Sequence, residues 1–375
     1  MVLLIGNYSP DQQQSMQRFN TMMLQGLKAA GIDAELIRPQ PLLGNCHRLG
    51  RLAAKWLAYI DKYVLFPFQL QKKLSAYPEV VHICDHSNAV YAKRCAGAPV
   101  LVTCHDLLAV RGGLGEETDT PASTTGRMLQ RWIISGLRRA NTLVCISQAT
   151  AQDAKRLVDR ANSRRQISVV YLGLNFPYRK LEPETARARL AKIAAVNVDL
   201  PFILHVGSNL RRKNREGVLR IFARGQERWN GQLVFAGDLL TPQLWALAVE
   251  LGISNRVVQV ENPANEVLET LYNCALALLY PSRFEGFGWP VIEAQACGCP
   301  VVCSNAGPLP EAAGHAGLFH DVDDEAGFAA DVLRLTHRTE RDAWGEKSLR
   351  NAERFSTDKM IVQYIDIYRQ LGAKL

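Results

Sequence analysis

Two glutamates, Glu285 and Glu293, stand with seven residues between them in FEGFGWPVIEAQACGCPVV, residues 284–302. Carboxylates accept hydrogen bonds from hydroxyls, Gly286 and Gly288 let backbone N–H groups approach a ligand closely, and Pro290 suits the first turn of a helix. The spacing predicts Glu285 in a loop and Glu293 in the first helical turn or just beyond it, both beside one polyhydroxylated ligand. The plainer alternative makes them charges at a helix N-terminus. A second group lies in HVGSNLRRKN, residues 205–214, where a strand gives way to Gly207 and Ser208 and then to Arg211, Arg212 and Lys213. Cations beside a helix N-terminus suit a diphosphate; the alternative is a solvated charge run. His105, after the apolar run PVLVTC, either orients a sugar hydroxyl or is a satisfied strand-end histidine, and Asp106 beside it suits a capping role.

These residues need elements to position them. Short apolar runs at 2–6, 34–37, 80–84, 99–104, 142–147 and 167–173 read as strands, and Met16, Phe19, Met23 and Leu27 recur at helical spacing. Around 175–200 the alternation weakens into a charged stretch, then restarts with strands at 202–207, 232–237, 257–260, 276–280 and 300–304. Alternating strands and helices of this kind predict an α/β chain of two doubly wound parallel sheets, and a chain of 375 residues exceeds what one core usually spans. Ligands of such sheets gather outside the carboxyl ends of the strands, where His105, Gly207 and the 284–302 loop fall. Gly6 is followed by Asn7, Tyr8 and Ser9, so the G-x-G-x-x-G fingerprint of a nicotinamide cofactor is missing after the first strand.

Nine cysteines without a CxxC pair read as reduced thiols, and Cys297 and Cys299, two apart in a helical-looking stretch, point away from each other. No dense aspartate cluster suggests a metal. The opening MVLLIG is too short for a signal peptide, and no apolar stretch reaches membrane-spanning length, so a cytoplasmic location is expected. Charge is uneven: residues 1–180 hold 23 Lys and Arg against 12 Asp and Glu, and residues 181–375 hold 21 against 24. Within the basic half, residues 48–66 place Leu49, Leu52, Trp56, Ile60 and Tyr63 at helical spacing among Arg48, Arg51, Lys55 and Lys62. Such a helix either packs on its own sheet or lies on an anionic membrane surface, at the inner face of the membrane. The remaining basic residues are scattered and no nucleic-acid motif is present.

The 284–302 stretch, VGSNLRRKN, the His105-Asp106 pair, CISQAT at 145–150 and PLPEAAG at 308–314 together resemble the retaining family-4 glycosyltransferases of the GT-B fold. The resemblance spans nearly the whole chain. It implies two Rossmann-like domains facing across a cleft, residues 1–180 on the acceptor side and 181–350 on the donor side, with 351–375 returning as a helix to the first domain. It implies a nucleoside-diphosphate sugar as co-substrate, with no further cofactor and no metal. By position, Glu285 matches the glutamate on the donor sugar, Phe287 and Gly288 its hydroxyl-binding backbone, and Glu293 the ribose clamp. Arg212 and Lys213 match the cations on the diphosphate, with Arg211 competing, and His105 matches a histidine near the reacting sugar. Gly6 and Asn7 stand where the family often carries paired glycines. The implied reaction is retaining, metal-independent hexosyl transfer to a carbohydrate or lipid-linked acceptor, with Glu285, His105, Arg212 and Lys213 at the reacting bond. An epimerase, a phosphorylase or a non-catalytic nucleotide-sugar scaffold on the same fold are the alternatives.

Overall fold

The computed structural model describes residues 1–375 except Gln12, 45–49, 159–164 and Gln226; the side chains of 50–52 also fall outside the described set. The chain forms two units, Met1–Asn175 with Thr357–Leu375, and Phe176–Ser356. The first boundary falls at Asn175 rather than 180 because Tyr178 and Leu181 already bond within the second unit, to Asn265 and Asn273. The second falls at Ser356 rather than 350 because a helix of the second unit runs on to Ala352.

The first unit holds a parallel sheet of β1 (Val2–Ile5), β2 (Ala34–Ile37), β3 (Val80–Ile83), β4 (Val100–Cys104), β5 (Thr142–Cys145) and β6 (Gln166–Val169), in the order β2-β1-β3-β4-β5-β6. Helices cover it: α1 (Gln14–Ala29), α2 (Gly50–Ile60), α3 (Phe66–Leu74), α4 (Leu108–Gly113), α5 (Thr124–Leu137) and α6 (Gln148–Leu157). Strands β1, β3, β4 and β5 are buried along their whole length, as parallel strands sandwiched between helices must be, which is why they read as continuous apolar runs. A π-helical turn, Asp61–Leu65, joins α2 to α3.

The second unit contains α7 (Pro183–Leu190), then β7 (Phe202–Gly207), α8 (Arg215–Gly225), β8 (Gln232–Gly237), α9 (Pro242–Glu250), β9 (Val257–Glu261), α10 (Asn265–Cys274) and β10 (Ala277–Tyr280). It continues through α11 (Trp289–Ala296), β11 (Val301–Ser304), α12 (Leu309–Ala313), β12 (Gly317–His320), α13 (Glu325–Arg334) and α14 (Arg338–Ala352). Its sheet order is β12-β11-β10-β7-β8-β9. Strand β12 went unpredicted: GLFH is four residues long, opens on glycine and carries no alternation.

The last helix, α15 (Thr357–Gln370), belongs to the first unit. Tyr368 and Thr103 hold the two nitrogens of buried His82 at 2.7 and 2.8 Å, and Tyr364 meets Thr103 at 2.9 Å. These buried polar groups satisfy one another, so the helix is fixed by direction as well as by area.

Candidate active site

Each sheet reverses its strand order once, between β1 and β3 in the first unit and between β7 and β10 in the second. That is where crevices form at the carboxyl ends of doubly wound sheets. In the second unit β7 ends at Gly207, and after Ser208 a single 3₁₀ turn, Arg211–Lys213, leads to Asn214 in the left-handed conformation at φ 52° before α8 begins. Beyond β10, the 281–285 loop is pinned against this turn: Asn214 Nδ2 donates to the Pro281 carbonyl at 3.0 Å and the Arg283 amide to the Arg212 carbonyl at 2.7 Å.

The consequence is an ion triad in which Lys213 and Glu285 are buried and Arg212 is half-buried. Lys213 Nζ lies 2.7 Å from Glu285 Oε1 and 2.6 Å from the Tyr280 hydroxyl, while Arg212 Nη1 lies 2.9 Å from Glu285 Oε2. Both carboxylate oxygens are thus engaged, though each keeps lone pairs for further donors. Burial pushes the Glu285 carboxyl up, but the charges of Lys213 and Arg212 outweigh it and hold it below the usual carboxylate range. Burial pulls Lys213 down from its ordinary value, with Glu285 opposing. Arg211 is exposed, so the contacts to Glu285 come from Arg212 and Lys213.

Glu293 sits on α11, buried, and its Oε2 accepts a hydrogen bond from the Tyr272 hydroxyl of α10 at 2.9 Å. Gly288 caps α11 at φ +106°, and a Cβ there would lie 2.8 Å from Leu309 Cδ2, so any side chain at this position meets both strain and a clash. Phe287 turns its ring into the interior against Phe355, with centroids 5.6 Å apart, and Gly286 is half-buried.

Sequence reasoning missed Arg215. It is buried, and its guanidinium binds the carbonyls of Gly207 at 2.6 Å and Asp238 at 2.8 Å and the Asn209 side chain at 2.7 Å, tying the ends of β7 and β8 together. Burial lowers its pKa to about 10. In the string RRKNR nothing distinguishes the inward cations from the outward one; the left-handed residue at Asn214 decides that. A separate cavity of about 930 Å³ opens at the amino ends of β7, β10 and β11. It mixes Lys180, Arg187 and Arg341 with Asp199 and Glu346, which favours no one ligand charge, and the carboxyl-end site is the better candidate.

In the first unit, buried His105 follows β4, with Nε2 2.9 Å from the Cys84 carbonyl. A carbonyl only accepts, so Nε2 carries the proton, and burial lowers the ring's pKa and keeps it neutral. Nδ1 is then a buried lone pair with no partner among the described residues. Asp85 and His86, also missed, follow β3 at the strand reversal. Asp85 accepts from Asn7 Nδ2 at 2.5 Å and from the Ser87 amide and hydroxyl, and its Oδ1 lies 3.1 Å from His86 Nδ1. Burial disfavours the imidazolium of His86, but Asp85 and then Asp106 overcome it and raise its pKa. Asn7 also donates to Gln13 at 2.8 Å, so both its amide hydrogens bond inside the unit, and Gly6 packs against Asn20, whose Nδ2 would lie 2.8 Å from an added Cβ. Among the described residues no group of three metal-ligating side chains occurs and no helix is long and apolar enough to cross a membrane.

Residues 16–176 match the family described as Glycosyltransferase Family 4, and residues 187–350 the one described as Glycosyl transferases group 1. The chain is 34% identical to O-antigen chain mannosyltransferase B of Escherichia coli over 45% of its length and 46% of the relative's. It is 31% identical to a D-inositol 3-phosphate glycosyltransferase of Corynebacterium urealyticum over 72% of its length and 65% of the relative's. The matches thus span between about half and two thirds of these relatives. Sucrose-phosphate synthase from Thermosynechococcus elongatus shares the fold over 100% of this chain and 99% of its own, at a TM-score of 0.78 and 21% identity. Anabaena HepE, solved with UDP and glucose, does so over 98% and 99%, at 0.75 and 15%.

Proposed function

This chain belongs to the GT-B glycosyltransferases, matching Family 4 in its first half and group 1 in its second, and on that premise we propose that it moves a hexosyl unit from a nucleoside-diphosphate sugar to a carbohydrate or lipid-linked glycan acceptor. The transfer proceeds with retention and serves cell-surface polysaccharide or glycolipid synthesis. The observation that carries this reading is the Arg212–Glu285–Lys213 triad at the β7/β10 reversal. Two cations on one turn and a carboxylate on the loop pinned against it are what a diphosphate and an adjoining sugar hydroxyl require of a single site. The relatives that act as a mannosyltransferase on O-antigen and as an inositol phosphate glycosyltransferase support the acceptor class, and the UDP of HepE supports the donor class.

In the reaction, the bond between the anomeric carbon and the diphosphate oxygen breaks and the acceptor oxygen bonds to that carbon on the same face. The acceptor's proton passes to the departing phosphate. Positive charge grows on the sugar and negative charge on the diphosphate. Arg212 and Lys213 stabilise the latter, so no metal is needed in this scheme. Glu285 accepts from a donor-sugar hydroxyl, Glu293 from the ribose, and Nδ1 of His105 from a sugar hydroxyl near the reacting carbon. Because Glu285 occupies both cations in the free protein, the diphosphate joins an ion cluster already assembled. The site is therefore partly preorganised.

Thermal-shift screening with UDP, GDP, ADP and TDP identifies the base, since a ligand that binds the folded state raises its melting temperature. Incubation with the matching nucleotide sugars then tests the chemistry. Release of nucleoside diphosphate with an anomer of unchanged configuration is expected; an isomerised donor, or no turnover with any of them, overturns the reading.

A further inference from the structure

The first unit carries an apolar outer face that its own core does not use. Trp56, Ile60, Val64 and Phe68 follow one another at four-residue steps along α2, the π turn and α3, and all are exposed, Trp56 to 60% and Phe68 to 73%. In an unbroken α-helix each four-residue step drifts about 40° around the axis. The wider π turn absorbs part of that drift. It also lets Asp61 turn inward while Ile60 and Val64 stay outward: Asp61 is buried and accepts from the Tyr8 hydroxyl at 2.8 Å and from the amides of Leu43 and Gly44 at 3.0 and 2.8 Å.

This stripe differs from the one read from the sequence. Trp56 and Ile60 belong to both, Tyr63 is half-buried, Leu49 and the side chain of Leu52 lie outside the described residues, and Val64 and Phe68 complete the outer face. A second helix extends it. The rings of Trp56, Tyr59, Tyr63 and Trp132 form a chain with centroid separations of 5.7, 5.7 and 5.1 Å, which brings the outer face of α5, with Trp132 and Met128 exposed, alongside.

Charge says what covers this face. Along 53–74 and 124–137 the basic residues are Lys55, Lys62, Lys72, Lys73, Arg127 and Arg131, and the one acidic residue, Asp61, is buried. Lys62 and Lys73 are paired with Asp11 and Glu35, whereas Lys55, Lys72, Arg127 and Arg131 are exposed. Large apolar side chains, tryptophans among them, rimmed by exposed cations, with the acids Asp11 and Glu35 each paired to a lysine, match the chemistry of an anionic bilayer interface: acyl boundary below, phosphate headgroups around. We propose that the outer face of α2, the π turn, α3 and α5 is the surface by which this protein seats on an anionic lipid bilayer. The seat is independent of the donor chemistry of the second unit.

The test is co-sedimentation of the full chain with phosphatidylcholine vesicles and with vesicles of phosphatidylcholine and phosphatidylglycerol. Pelleting with the anionic vesicles alone, weakened by salt, is expected. Trp56→Glu with Phe68→Glu should lower the partition coefficient tenfold or more, by roughly the burial of one or two large side chains. Lys55→Glu with Arg127→Glu and Arg131→Glu should lower it through charge. Both variants should keep the wild-type melting temperature and its response to nucleoside diphosphate, which separates a lost seat from a lost fold or a lost donor site. No pelleting at low salt, or pelleting unchanged in both variants, overturns the proposal. So does light scattering that finds a wild-type dimer and monomeric variants, since the face would then join two copies of this chain.

Discussion

The two sheets reverse strand order in the same way, yet the groups gathered at the two reversals differ in kind. At β7/β10 the second unit gathers full charges, two cations on one carboxylate, each held by a side chain from a turn or loop that the backbone pins. Around β1/β3 and the neighbouring end of β4 the first unit gathers imidazoles held in opposite states: His105, kept neutral by burial, and His86, with its pKa raised by Asp85 and Asp106. A fixed charge suits a ligand whose charge does not vary, such as a diphosphate. Imidazoles suit hydroxyls, which need donors and acceptors more than charge. One topology therefore supports two recognition chemistries, and the difference lies in a few residues after each strand.

The contrast breaks most visibly at Lys213. Lys213→Ala removes one partner of a buried pair and should cost about 3–5 kcal/mol of stability in the second unit, along with nearly all turnover. Chemical denaturation measures the first and nucleoside-diphosphate release the second; a variant as stable as the wild type would mean that Glu285 has other support. Next in size, Glu293→Ala should weaken nucleotide binding by about 1–3 kcal/mol by titration calorimetry, while Glu285→Gln mainly slows turnover. His86→Gln, in the first unit, should leave nucleotide affinity unaltered, and equal losses in all three would erase the division between the units.

One further effect concerns a feature that the units share. His82 of β3 and His205 of β7 are both fully buried, and desolvation first of all brings each pKa down to about 3. An unfolded histidine takes up its proton near pH 6.5 and the folded one does not. Each ring therefore contributes its full stability above about pH 6.5 and loses up to roughly 1.4 kcal/mol per pH unit as pH falls from there toward 3. Urea midpoints recorded between about pH 7 and pH 5 should drop accordingly. A flat profile would mean that one or both rings protonate in place.

Eleven of the twelve strands among the described residues were legible because a parallel strand covered on both faces must be apolar throughout, and that leaves a continuous run in the sequence. The loop-to-helix junction within 284–302 was legible because Gly288 and Pro290 mark it whatever surrounds them. What stayed hidden depends on direction rather than residue type. Arg212, Lys213 and Arg215 look alike in the sequence, and only the left-handed turn at Asn214 sends Lys213 toward Glu285 and Arg215 toward the β7 and β8 carbonyls. Asp85 and His86 were hidden because a strand of four residues gives no sign of which strand lies beside it, so their place next to Asn7 of the first strand could not be read. The outward stripe of α2 and α3 shifted for a related reason: helical periodicity assumes 3.6 residues per turn, and the π turn at Asp61–Leu65 departs from it.

That α15 belongs with the first strands has a consequence for how the protein is made. A ribosome must finish all of 176–356 before Tyr364 and Tyr368 emerge to meet His82 and Thr103. Until then His82 Nε2 and the Thr103 hydroxyl can pair with each other, but His82 Nδ1 lacks Tyr368 and the Thr103 hydroxyl lacks Tyr364, whereas the second unit already has every residue it needs. The segment synthesised later is thus placed to mature first, and the segment begun earliest waits for the last helix to close it.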